Sequence, residues 1–208
     1  TLDPQSVADC PSFDTICVGE GDRAILLLAQ AIESGETIEK IPHLWIKKTD
    51  GSIEKNAPNP FDQNLDELPN IDREMWRPFI VNFAQYPSVL VGRGCPFKCT
   101  YCSNHAIAKL STGRYTRFRS PQSLIGEIKE ILDMESAVES IYLEVETIGA
   151  NLKEAFELFA ALKVFTEGLD RPLKFGINFT VTSVFLRNKD RMRQFFSMLR
   201  DANVVNLN

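Results

Sequence analysis

The chain has 208 residues, 44% of them hydrophobic and 25% charged, with a net charge of −5. That is an ordinary globular composition with enough apolar material for a sizeable core, which excludes a disordered tail. The mild acidic excess gives no footprint for a nucleic-acid backbone, and no run approaches the roughly 20 apolar residues that span a bilayer. The N-terminus shows no basic segment followed by an apolar run, so no secretory signal is read there.

Thr15-Ile16-Cys17-Val18 reads as a short strand ending in Gly19-Glu20-Gly21. A helix follows, with Asp22 as its N-cap and Ser34-Gly35 as its stop. Its stripe is Ala24, Ile25, Leu28, Ala31 and Ile32, and Leu26 and Leu27 broaden it, which predicts burial on more than one side. Residues 41–55 read as a hairpin: Leu44-Trp45-Ile46, the turn Asp50-Gly51, then Ile53 on the return. Pro58, Pro60, Pro69, Pro78 and Pro87 break the pattern after Asn56. The expected organisation is a small α/β lobe over 1–56, a linker over 57–87 and a βα-repeating part over 88–208.

Past the linker the alternation is regular. Ser88-Val89-Leu90-Val91 is a strand. Ser120 caps a helix with Pro121 at its first position, and Leu124, Ile125, Ile128, Ile131 and Leu132 line it. Residues 141–146 form the next strand. A helix starts near Asn151, with Glu154 as a capping-box partner and Leu152, Ala155, Phe156, Phe159 and Leu162 inward. Residues 175–181 form another strand. Residues 189–200 form a helix with Met192, Phe195, Phe196 and Leu199 inward, and 204–207 a last strand. Strands alternating with helices predict an α/β fold with a parallel sheet. Trp45 and Trp76 read as packing residues.

Five cysteines are present: Cys10, Cys17, Cys95, Cys99 and Cys102. An odd count with three clustered is a poor disulfide framework and points to a metal site in a reducing compartment, the cytoplasm. The cluster is Gly92-Arg93-Gly94-Cys95-Pro96-Phe97-Lys98-Cys99-Thr100-Tyr101-Cys102, spaced Cys-x3-Cys-x2-Cys on a loop after a strand. Three thiolates on a four-iron cube leave one iron open for chemistry, as an open position does on catalytic zinc. Gly92 and Gly94 let the loop turn tightly. Two other readings are a zinc site completed by His105 and an electron-transfer cluster. Zinc sites favour two Cys-x2-Cys pairs or a Cys/His pair, and ferredoxins supply a fourth cysteine. The spare cysteines, Cys10 and Cys17, lie on the earlier lobe. Glu144 and Glu146 alternate with Val145 and so share one face of their strand. Asn178 and Thr180 share a face on the following one.

The cysteine loop resembles the signature of the radical S-adenosylmethionine (SAM) superfamily. Gly113-Arg114-Tyr115-Thr116-Arg117-Phe118-Arg119-Ser120-Pro121, followed by Glu127-Ile128, resembles the stretch leading into that family's first barrel helix. Gly19-Glu20-Gly21-Asp22 and Leu65-Asp66-Glu67-Leu68-Pro69 resemble the tail and linker of the cobalamin-binding domain that many members carry. The resemblance implies a partial TIM-like (βα) barrel preceded by a small α/β lobe, in a fragment of a longer enzyme. It implies Cys95, Cys99 and Cys102 as ligands of a [4Fe-4S] cluster that cleaves SAM reductively to a 5′-deoxyadenosyl radical. It implies Tyr101 near the adenine and the acidic strand end, Glu144 and Glu146, against the SAM amino group; Phe97 is a further candidate for SAM binding, and Asn178, from its place on the following strand, is a candidate to line the site. Glu146 matches best, although Glu-Val-Glu stands where many members have Gly-Gly-Glu or Asp-Asp. The partners implied are SAM, a further substrate that the sequence does not name, and a reductant such as flavodoxin or ferredoxin, with no membrane or nucleic acid. Cobalamin is implied only for a longer parent, in support of methyl transfer or cyclisation, because the ligand loop Asp-x-His-x-x-Gly is absent. The two histidines, His43 and His105, stand in other contexts.

Overall fold

A computed structural model describes residues 3–179 and 187–208. The chain falls into two compact units, 1–63 with 96–115 and 64–95 with 116–208. Each is described by itself.

In the first unit, helix α1 (Pro4–Ala8) precedes strand β1 (Thr15–Cys17) and helix α2 (Asp22–Ser34), and β2 (Leu44–Lys47) and β3 (Ile53–Lys55) follow. The expected hairpin is present, with β2 and β3 antiparallel. It gains a third strand, because β1 pairs antiparallel with β2 through Ile16 and Trp45. Alternation along β2 puts Leu44 and Ile46 on one buried face, where they meet Ala24, Ala31 and Ile41. The opposite face packs Ile16 with Ala8, Val18, Trp45 and Leu110.

Helix α2 departs from expectation. Ile25, Leu26, Leu27 and Ile32 are exposed at 63, 57, 43 and 68%. The packed seam is Ala24, Leu28 and Ala31; the small alanines sit against the sheet and the bulky residues stand outward. The N-cap is Gly21, and Asp22 is the first helical residue, where its carboxylate faces the positive end of the helix dipole.

The second unit is built on a parallel sheet in the order β4-β7-β8-β9: Ser88–Leu90, Ser140–Glu144, Lys174–Ile177 and Val204–Leu207. Neighbours in space are neighbours in sequence among these strands, as in one side of a (βα) barrel. Between them run α5 (Pro121–Met134), α6 (Leu152–Glu167) and α7 (Lys189–Asp201). Ser120 caps α5 as expected, its hydroxyl accepting Ser123 N–H at 3.1 Å. Asn151 caps α6 by accepting Glu154 N–H at 3.5 Å.

One face of the sheet is apolar. Val89, Ile141, Leu143, Phe175 and Ile177 are buried there against Leu124, Ile128 and Ile131 of α5, Phe159 and Leu162 of α6, and Phe195 and Leu199 of α7. Phe196 departs from its expected inward position: it is 37% exposed, with its ring edge-on to Phe179 at 5.6 Å. The other face carries Tyr142, Gly176 and Asn206 in register.

The proline-rich stretch before β4 holds helix α3 (Arg73–Trp76) and 3₁₀ turns at Leu65–Glu67 and Arg77–Phe79. Asn64 and Asp72 cap the first two of these through their side chains. Trp76, expected to pack, is 51% exposed. A short antiparallel pair, β5 (Gly92–Arg93) with β6 (Arg117–Phe118), frames the cysteine segment, and α4 (Asn104–Ile107) follows it. The strand expected over 175–181 is described to its end at Ile177; Thr180 and Val181 lie outside the described residues.

Candidate iron–sulfur and SAM site

Strand β4 delivers the chain to the site. Val91 N–H donates to Glu144 O at 2.8 Å, extending the parallel pairing past Leu90, and Arg119 N–H donates to Val91 O at 2.9 Å. The β5–β6 pair then brings Gly92 opposite Phe118. A Cβ on Gly92 would lie 2.5 Å from the Arg117 carbonyl oxygen, so only glycine lets the two backbones approach this closely. Gly94 takes a left-handed φ of 86° and redirects the chain into Cys95. The cysteine segment therefore leaves the carboxyl end of a parallel strand, where α/β and barrel folds place their ligands.

Glu146 lies just past β7, and its Oε1 accepts Gly94 N–H at 3.1 Å. The acidic strand end expected from the sequence thus reaches the residue before Cys95. Glu144 is exposed at the end of β7. Asn178, just past β8, is fixed by three contacts. Its Oδ1 accepts Tyr142 O–H at 2.5 Å, its Nδ2 donates to Val145 O at 3.4 Å, and its own carbonyl accepts Ile148 N–H at 3.4 Å. Asn178 and Glu146 are therefore tied to the same turn after β7.

Phe97, Cys99, Tyr101 and Cys102 fall in the first unit and Cys95 in the second. All five thiols are free of disulfides. Cys99 is exposed, Cys102 and Phe97 are half-buried, and Tyr101 is 91% exposed. Among the described residues, no three His, Cys, Asp or Glu side chains are gathered closely enough to hold a metal ion.

The donor set suits an iron–sulfur cluster in its chemistry, since three thiols spaced Cys-x3-Cys-x2-Cys are the ligands such clusters take, and Cys102 Sγ also accepts N–H donors. Asn104 N–H approaches it at 3.5 Å and Asn104 Nδ2 at 3.6 Å, ordinary lengths for a sulfur acceptor. Asn104 Oδ1 in turn accepts Tyr115 O–H at 2.6 Å. The cysteine spacing assigns no role to Asn104, and Tyr115 stands in the sequence only within the stretch that resembles the lead into the first barrel helix. The only signal for Asn104 was the place of an amide two residues after the third cysteine. Cys17 differs in kind. Burial pushes its thiol above the usual range, and its Sγ faces Glu20 O at 3.9 Å, which suits a protonated structural thiol.

The superfamily profile of the radical SAM proteins matches residues 89–208. The chain belongs to the radical SAM superfamily. It is 30% identical over 173 residues to an uncharacterized methyltransferase of Pyrococcus horikoshii, covering 82% of this chain and 36% of that one. It is 26% identical over 209 residues to the anaerobic magnesium-protoporphyrin IX monomethyl ester cyclase of Cereibacter sphaeroides, covering 98% of this chain and 32% of that one. The chain thus spans about a third of the length of these curated relatives. Among solved structures it resembles the radical SAM methyltransferase TsrM of Kitasatospora setae, with cobalamin and a [4Fe-4S] cluster bound. That match has a TM-score of 0.69 at 14% identity and covers 100% of this chain and 40% of TsrM. It also resembles the cobalamin-dependent radical SAM enzyme OxsB with aqua-cobalamin and SAM bound. There the TM-score is 0.73 at 17% identity, covering 100% of this chain and 28% of OxsB. These likenesses establish the fold, a parallel α/β sheet of the radical SAM barrel type with a smaller lobe.

Proposed function

We propose that the protein containing this chain cleaves SAM reductively, with Cys95, Cys99 and Cys102 as the ligands of its [4Fe-4S] cluster. The observation that carries the reading is the Glu146 carboxylate on Gly94 N–H at 3.1 Å, an acidic group on the residue that precedes the first cysteine of a Cys-x3-Cys-x2-Cys spacing. When bound, the cluster supplies the single electron that splits SAM into methionine and the 5′-deoxyadenosyl radical.

The chain's own residues then bind and orient. In this reading Glu146 accepts the SAM ammonium, since a carboxylate keeps acceptor capacity after taking one N–H. Asn178, held by Tyr142 and the Val145 carbonyl, keeps the turn that carries Glu146 in place. Phe97 and Tyr101 offer the apolar faces of the loop to the adenosyl group, and Glu144 extends the acidic strand end. The exposure of Tyr101 leaves its ring open to a ligand.

Methyl transfer or cyclisation is the reaction class we assign to the whole protein, with cobalamin as a second cofactor. Support comes from the names of the methyltransferase and cyclase relatives and from the cobalamin-bound neighbours. A flavodoxin or ferredoxin is the reductant that fits a one-electron site, and the cytoplasm the compartment that keeps the thiols reduced. No helix among the described residues is long and apolar enough to cross a membrane.

Anaerobic reconstitution of the full-length protein tests the reading. Iron and sulfide in cluster stoichiometry, with 5′-deoxyadenosine released on dithionite reduction in the presence of SAM, are expected. A cluster without that product points to an electron carrier, and bound zinc without colour points to a structural metal site.

A further inference from the structure

The amide of Asn104 stands between a cysteine and a tyrosine. Its backbone N–H and its Nδ2 both approach Cys102 Sγ, at 3.5 and 3.6 Å, and its Oδ1 accepts Tyr115 O–H at 2.6 Å. Tyr115 is itself held: its ring lies 5.2 Å from that of Phe61. The chain on both sides is tied down by Phe61 N–H to Thr112 O at 2.8 Å and Gln63 Nε2 to Arg114 O at 3.3 Å. All of these residues lie in one compact unit.

We propose that Tyr115 and Asn104 form a positioning pair that sets the reduction potential of the cluster by fixing an N–H donor on the Cys102 sulfur. The proposal rests on the reading that Cys102 is a cluster ligand. A side-chain amide can present either end to its neighbours, and a tyrosine hydroxyl can donate or accept. The sulfur breaks this symmetry. A thiol can donate S–H to Oδ1, whereas a metal-bound thiolate only accepts, so it selects Nδ2 toward sulfur and Oδ1 toward Tyr115. The Tyr115 O–H then locks that orientation. A donor to a cluster sulfur favours the more negative, reduced state and raises the potential. Asn104 thereby eases the loading of the electron that SAM cleavage consumes.

The test is a redox titration of the cluster in the full-length protein without SAM, followed by electron paramagnetic resonance. Asn104→Asp keeps the acceptor for Tyr115 and replaces the donor with negative charge. Asn104→Leu removes donor and acceptor. Tyr115→Phe unlocks the amide and touches no sulfur. Potentials should become progressively more negative in the order wild type, Tyr115→Phe, Asn104→Leu, Asn104→Asp. Potentials of both Asn104 variants within error of wild type overturn the proposal. If those variants assemble no cluster, Tyr115→Phe decides alone, and an unchanged potential there overturns it. A role confined to folding would lower iron content without this ordering. A wild type that holds the cluster yet releases no 5′-deoxyadenosine sinks the SAM reading and leaves this proposal standing.

Discussion

The Oε1 of Glu146 accepts the backbone N–H of Gly94 at 3.1 Å, joining the strand end after β7 to the residue before the first cysteine. Replacing it separates a structural from a binding role. Glu146→Gln keeps an acceptor for Gly94 N–H and loses the charge. Hydrogen bonds to charged groups contribute about 1.5–3 kcal/mol, so SAM affinity should fall roughly ten- to a hundredfold while iron content holds. Equilibrium dialysis with SAM and an iron assay check it. Unchanged affinity in Glu146→Gln would remove Glu146 from the binding site.

Gly92 makes a close backbone approach in the β5–β6 pair. Gly92→Ala puts a methyl group 2.5 Å from the Arg117 carbonyl oxygen and 3.2 Å from Phe118 Cα. Backbone cannot swing aside as a side chain can, so β5 and β6 must part. Overpacking of this kind costs about 1–3 kcal/mol. The expected outcome is a folded protein, by circular dichroism, with sharply lower iron content after reconstitution. A variant that loads iron as wild type does would show that the β5–β6 pair does not shape the loop.

Much of this frame was legible in the sequence because local chemistry and global fold agree. Ser120-Pro121 starts α5 at the expected residue, and the cysteine spacing located the loop after a strand. Helix α2 was misread because hydrophobicity alone ranks Ile25 and Ile32 above Ala24 and Ala31, whereas close packing on the sheet selects the small residues. Glu144 ends β7 and Glu146 lies just past it, but the hydrogen bond between Glu146 and Gly94 spans 52 residues of chain, and no periodicity reports such a contact. Asn104 escaped notice for the opposite reason. Its role lies in an orientation fixed by Tyr115, and an asparagine beside a cysteine carries no pattern of its own.

A buried ionic group fastens the segment before β4 to α5. Glu127 is 1% exposed; Arg73 Nη2 meets its Oε1 at 2.5 Å, and Arg119 Nη1 meets its Oε2. Arg73 also donates to Ser88 O at 2.8 Å and Arg119 to Leu90 O at 3.2 Å, so both guanidiniums grip β4. Glu127→Ala leaves two buried cations facing each other without their shared anion. Breaking a buried pair costs about 3–5 kcal/mol, and urea unfolding should show a loss of that size. A loss below about 1 kcal/mol, the range of an exposed pair, would show that water reaches the group.

On the polar face of the parallel sheet, Tyr86 occupies the space that a side chain on Gly176 would need. A Cβ there would lie 1.6 Å from Tyr86 Oη and 2.9 Å from Tyr142 Cδ2. Tyr86 is also held at a left-handed φ of 63°, with Asn206 Nδ2 donating to its Oη at 3.2 Å and its ring 5.6 Å from that of Tyr142. Gly176→Ala must expel the Tyr86 phenol, break the Asn206 contact and separate the two tilted rings. Tyr86→Ala loses the same contacts by another route. Residues that share one space do not add, so the double variant should be less destabilised than the sum of the singles by about 0.5–3 kcal/mol. Additive losses in urea unfolding would mean that Tyr86 does not fill the hollow over Gly176.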